Sequence, residues 1–173
     1  MSEGQFKIGD LAVYPAQGVA EIVGIESRNM GALSEIFYSL RIIDTEKKIM
    51  IPVKKVASVG LRPLVSKEEV QDLMELVRTP FQRQEPQETW NRRYRRYLEK
   101  IKSGQALEVA EVYRDLCHIK RDKDLSFGER KMLEMARTLL VKEFSIALGD
   151  TEEAVEKALE GASASGEAPP EQA

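Results

Sequence analysis

Apolar residues change their spacing once along this chain, at Ser66, and that change divides it into two differently built parts. Upstream, short β-like runs alternate with turn residues. Phe6 to Tyr14 stops at Pro15, Gly18 to Ile25 carries Val19, Ile22, Val23 and Ile25, and Ile36 to Ile43 carries Phe37, Tyr38, Leu40, Ile42 and Ile43. The turn Asp44-Thr45-Glu46-Lys47 leads to Ile49-Met50-Ile51 before Pro52, and Val59-Gly60-Leu61 reads as a last short strand. Short strands at spacings of roughly ten residues, with turn signals between them, predict a small antiparallel barrel. A module this small keeps edges. Pro52, with no N–H to donate into a ladder, marks residues 48 to 53 as an edge segment, open to a partner or blunted against one.

Downstream the period is helical. Ser66-Lys67-Glu68-Glu69 has the form of a capping box, and Val70, Leu73, Met74 and Val77 repeat behind it until Thr79-Pro80 ends the helix. Pro80 to Pro86 reads as a linker, and a second helix runs from about Gln87 to Ser103, stopped by Gly104. A third spans Gln105 to Lys120. The fourth begins at Ser126-Phe127-Gly128-Glu129, a second capping box, and ends at Leu148 with Gly149 as its cap. Thr151 to Leu159 predicts a short fifth helix, and the small, polar tail after Gly161 is expected to be disordered. The expected architecture is therefore α+β: a β-module over residues 1–65, an all-α bundle over 66–160, and an acidic tail over 161–173.

Charge is segregated along the chain. The net charge of −3 conceals a basic stretch at residues 78–102, with eight basic residues against three acids (8 − 3 = +5), and an acidic stretch at 150–173, with seven acids against Lys157 (1 − 7 = −6). A basic stripe on an acidic protein is the footprint of a polyanion partner, or simply a solvated helix face. The only long apolar run, Lys131 to Leu148, is broken by Arg137, Lys142 and Glu143, so no membrane span is expected. The first residues carry no apolar leader, which places the protein in the cytoplasm by default. A single cysteine, Cys117, reads as a core residue in a reducing compartment.

Catalytic constellations are not evident. The single histidine, His118, follows Cys117 directly, and neighbours on a helix point about 100° apart, which disfavours a thiolate–imidazole pair. One Cys and one His cannot build a zinc cage of the usual kind, and neither a phosphate-binding Gly-x-x-x-x-Gly-Lys loop nor a Gly-x-Ser-x-Gly elbow occurs. No enzyme activity, metal, cofactor or small-molecule ligand is expected.

The segment Thr89-Trp90-Asn91-Arg92-Arg93-Tyr94-Arg95-Arg96 is the most informative. At helical spacing Trp90, Tyr94, Tyr97, Leu98 and Ile101 share a stripe, and the arginines spread over the rest. Trp90 is therefore a core residue of the bundle with solvated arginines around it, or an aromatic presented to a nucleic acid. Its place in the first turn, where burial is least complete, and the free N–H groups of a helix start suit the second reading. Composition alone leaves both standing.

Three groups of motifs resolve the choice by resemblance. Phe6-Lys7-Ile8-Gly9-Asp10, Val13-Tyr14-Pro15 and Gln17-Gly18-Val19 open the chain; Thr89-Trp90-Asn91-Arg92-Arg93-Tyr94 follows; Leu125-Ser126-Phe127-Gly128-Glu129 to Leu133 closes the set. In this order they resemble the CarD and CdnL family of bacterial transcription factors, in its compact CdnL form. The resemblance implies a Tudor-like N-terminal module that binds the RNA polymerase β subunit. It also implies a helical region that contacts promoter DNA at the upstream edge of the −10 element and stabilises the open promoter complex.

Carried over by position, the polymerase contacts fall on Arg28, Ser39, Met50 and Pro52, and the DNA contacts on Trp90 as a wedge with Arg92, Arg93 and Arg95. Some relatives have arginine where Met50 stands, so an apolar contact replaces an ion pair here. DNA contact of this kind is largely independent of base sequence, and the protein is expected to act as a monomer, associated with the nucleoid through the polymerase. The rival is a general nucleic-acid adaptor whose β-module binds RNA or a protein tail. Residues 1–65 carry eight basic and seven acidic residues, too balanced for an electrostatic nucleic-acid surface.

Overall fold

Among the described residues, the alternating apolar residues of the first part become five strands: β1 (Leu11–Tyr14), β2 (Gly18–Met30), β3 (Leu33–Ile42), β4 (Lys48–Pro52) and β5 (Arg62–Pro63). The structure is a computed structural model that describes residues 5–80 and 89–165, divided into the units Met1–Leu64 and Val65–Ala173. All strand pairs are antiparallel, in the order β4-β3-β2-β1-β5. One face of β3 points Tyr38, Leu40 and Ile42 into a core with Ala12, Ala20, Ile22 and Ile51. Phe6 packs edge-on to Tyr38, with ring centroids 6.0 Å apart, and its N–H donates to the Tyr38 hydroxyl at 3.1 Å.

The antiparallel module expected from the sequence is present, but its sheet is open and not a closed barrel, with β4 and β5 as its edges. Residues Val53–Lys55 form a 3-10 turn and Val56–Val59 the short helix α1. Gly60 closes α1 in the left-handed region (φ +85°), its N–H on the Val56 carbonyl at 3.1 Å. The strand expected at Val59-Gly60-Leu61 therefore starts later, and β5 has only two residues to pair with β1. In the opposite sense, β2 and β3 are longer than their apolar residues indicate. They pair out to Met30↔Leu33, around a turn in which Gly31 takes φ +70°.

The second unit holds α2 (Lys67–Arg78), α3 (Trp90–Lys102), α4 (Ala106–Asp122), α5 (Phe127–Leu148) and α6 (Glu152–Ser165). Each buries its apolar stripe in one core, from Val70, Leu73 and Val77 on α2, through Leu116 on α4 and Phe144 on α5, to Leu159 on α6. The unit begins at Val65, whose N–H donates to the buried Glu143 at 3.2 Å. Gly149 ends α5 in the left-handed region (φ +66°). Helix α6 continues past Gly161 to Ser165, where a disordered tail was expected, because Ala162 is buried in the core. Cys117 sits partly buried at the edge of this core, and burial pushes its thiol pKa up. The expected linker beyond Pro80, the start of the second helix near Gln87 and the tail beyond Ser165 lie outside the described residues.

Candidate functional site

Helix α3 is anchored at one end. Tyr97 and Ile101 are fully buried, the Tyr97 hydroxyl donates to the Asp115 carboxylate of α4 at 3.4 Å, and Lys100 pairs with Glu111. Burial pushes the Asp115 carboxyl pKa up, against the opposing pull of the neighbouring Arg114 guanidinium, and raises that of the Tyr97 phenol as well. Arg96 lies over the Tyr97 ring, 5.3 Å from its centroid. Toward the N-terminus the stripe opens: Tyr94 is 38% exposed and Trp90 is half-buried.

Trp90 is the first residue of α3, and its N-cap Thr89 makes no side-chain capping bond. The indole meets Tyr94 at a centroid distance of 5.4 Å, with the rings tilted by 60°. The Arg93 guanidinium carbon lies 5.4 Å from the indole centroid. Arg93 Nη2 is also 3.6 Å from Glu129 Oε1, and both side chains are largely buried. The start of α5 comes close to the indole: a Cβ built on Gly128 would stand 3.0 Å from Trp90 Cζ2. The indole is therefore half-anchored, on Tyr94 and also on α5.

Of the four residues expected to touch DNA, the structure brings Trp90 and Arg93 together and leaves Arg92 and Arg95 exposed. Gly128 and Glu129 were not foreseen as part of this site. The signal was in the sequence, since a glycine in the first turn of a helix works against the helix unless something needs the space.

The β-module presents a second surface. Ser39 faces Met50 across β3 and β4, Phe37 faces Pro52, and Arg28 faces Glu35 across β2 and β3. Since alternate residues share a face, Arg28, Ser39, Met50 and Pro52 all lie on the side opposite Tyr38 and Leu40. Phe37 sits among them and was missed, although its odd position beside Tyr38 put it there. The same face continues to Met30 and Leu33, which are 63% and 76% exposed at the hairpin end. Pro52 ends β4, an edge strand. Among the described residues no cluster of acids, His and Cys could hold a metal ion, and no helix is long and apolar enough to cross a membrane.

Comparison with known proteins covers both units. The family model "CarD-like/TRCF RID domain" matches residues 6–65, and "CarD, C-terminal domain" matches residues 72–160. A Bacillus subtilis (strain 168) protein described as "Putative transcription factor YdeB" is 34% identical over 152 residues, which cover 87% of this chain and 97% of that protein. A solved structure described as "CdnLNt from Myxoccoccus xanthus" is 48% identical over 39% of this chain and 94% of its own, with a TM-score of 0.32.

Proposed function

The chain belongs to the CarD/CdnL family of bacterial transcription factors, and on that premise we propose that it binds the RNA polymerase β subunit and stabilises open promoter complexes. The β-module binds through the face that carries Arg28, Ser39, Met50 and Pro52. Helix α3 applies Trp90 to the DNA at the upstream edge of the −10 element. The observation that carries this reading is the half-open indole of Trp90, at the exposed end of a helix whose other end is buried, with exposed Arg92 and Arg95 beside it.

A flat aromatic wedges beside an unstacked base step at the fork of a melting duplex, where the polymerase has already opened the stack. Stacking of one base on an aromatic contributes about 1–3 kcal/mol, and reclosing the bubble requires expelling the ring. Arg92 and Arg95 supply phosphate contacts, which hold register without reading bases. On the β-module, Met50, Phe37 and Pro52 offer an apolar centre on an edge strand, with Arg28 and Glu35 as a charged border, the pattern of a small protein interface. The protein acts as a monomer in the cytoplasm and reaches the nucleoid with the polymerase.

The discriminating experiment is a pull-down with residues 1–65, which have a hydrophobic core of their own. Recovery of the β subunit supports the reading. Recovery of nucleic acid without β subunit contradicts it.

A further inference from the structure

The helical unit carries the Ser-x-x-Glu signature at the starts of α2 and α5, and the two glutamates go to different places. At α2 the carboxylate of Glu69 turns back to accept the Ser66 N–H at 2.7 Å, while Ser66 Oγ accepts the Glu69 N–H at 3.1 Å. At α5, Ser126 Oγ accepts the Glu129 N–H at 3.2 Å, but the Glu129 carboxylate takes the Ser126 hydroxyl at 3.3 Å and lies beside Arg93. The capping box is half made, and its acid is turned toward α3.

A buried carboxylate needs cations near it. Glu129, only 3% exposed, has Arg93 Nη2 and Lys123 Nζ, each 3.6 Å from Oε1. Arg93 Nε and Glu129 Oε2 are buried as well and make no hydrogen bond to a described residue. A guanidinium and a carboxylate satisfy such atoms together when they meet fork to fork. Arg93 is thus committed to Glu129 on one side and to the indole of Trp90 on the other.

Gly128, beside Glu129 at the start of α5, bears on the indole itself. It occupies the first turn of a 22-residue helix, where alanine is the better helix former, yet a Cβ there would press on Trp90 Cζ2 at 3.0 Å, with Cε2 and Cη2 at 3.9 Å.

We propose that Gly128 and Glu129 are positioning residues for Trp90: Glu129 fixes Arg93, Arg93 backs the indole, and Gly128 leaves room for the Cζ2 edge. The proposal rests on the reading of Trp90 as the DNA wedge and deepens it. It gives Arg93 to the support of the ring and leaves Arg92 and Arg95 for phosphate. A ring fixed before it meets DNA loses less freedom on binding, which is how a supporting shell strengthens a contact it never makes.

Trp90 is the single tryptophan of the chain, so fluorescence excited at the red edge of its absorption, where the five tyrosines do not absorb, reports its position alone. In the full chain, Gly128→Ala and Glu129→Gln should each shift the emission to longer wavelength and increase quenching by acrylamide, with helical circular dichroism retained. Both should also shorten the open-complex lifetime several-fold while binding to polymerase is unchanged. Arg92→Gln, a contact residue, should shorten the lifetime without moving the emission. Should Gly128→Ala lower stability, Trp90→Phe in the same chain should restore it, because the smaller ring frees the space. Unchanged emission and quenching in folded Gly128→Ala and Glu129→Gln would overturn the proposal. A shifted emission in those variants, combined with an unaltered lifetime for Trp90→Ala, would instead sink the wedge and leave the positioning intact.

Discussion

Ser39 on β3 and Met50 on β4 are direct cross-strand partners on the sheet face turned away from Tyr38 and Leu40. Their neighbours on that face are Phe37 and Pro52, so a charge at Met50 would sit at the centre of the proposed polymerase contact. Met50→Asp should weaken binding of the β subunit by about thirtyfold, the loss of roughly 2 kcal/mol typical of a central interface residue. Met50→Arg, whose long aliphatic stem can still cover the apolar centre, should retain binding and make it more sensitive to salt. Titration of the full chain against isolated β subunit decides; equal affinity of Met50→Asp and the parent would place the contact elsewhere.

The two serine caps should differ in weight. Ser66 closes a complete capping box at an exposed helix start, so Ser66→Ala should cost about 1 kcal/mol, as caps usually do. Ser126 caps α5 and also donates to the buried Glu129 carboxylate, so Ser126→Ala leaves a buried charge short of a donor and should cost more, roughly 2 kcal/mol or above. Urea unfolding of both variants measures this, and equal losses would contradict the role given to Glu129.

These two starts also show what the sequence can and cannot tell. Both helices were legible from the same Ser-x-x-Glu pattern, and the cap at Gly149 from its glycine. The destination of Glu129 was not legible, because it depends on Arg93 arriving from another helix. Strands β2 and β3 were read short because Glu26-Ser27-Arg28-Asn29 has no apolar alternation; their pairing register extends them. The strand expected at Val59-Gly60-Leu61 failed on a local contest, since Gly60 suits a helix cap better than a ladder. The end of α6 was missed because one small residue, Ala162, finds a place in the core that composition does not announce. In the candidate site, Trp90 and the arginines stood out by type, whereas Phe37 and Gly128 needed a face and a neighbour.

Helix α6 should contribute heavily to the second unit. Leu159 is fully buried, and Leu159→Ala should destabilise it by about 2–5 kcal/mol through lost burial and the cavity left behind. Ala162→Asp should also destabilise, by placing a charge where the core is closed. Thermal unfolding checks both; a parent-like Ala162→Asp would mean that α6 ends functionally before Gly161.

Asp115 should make the stability pH-dependent. Burial holds its carboxyl pKa above the ordinary value of about 4, so in that range the folded protein keeps a proton that the unfolded chain releases. The contribution of this group is fully present below the unfolded pKa and is lost as pH rises through the folded one. Relative to the parent, Asp115→Asn should therefore lose less stability between pH 4 and the neutral range, as read from urea midpoints at several pH values. Parallel curves for the two proteins would show that Asp115 titrates as it does in the unfolded chain.

The lifetime of preformed open promoter complexes after a competitor challenge, with parent protein or with Trp90→Ala, isolates what the indole does at the DNA. The parent should prolong the lifetime. Trp90→Ala should bind polymerase equally well but lose the effect by roughly fivefold or more, the consequence of removing about 1–3 kcal/mol of stacking. A folded, polymerase-bound Trp90→Ala that prolongs the lifetime as the parent does would contradict this role of Trp90.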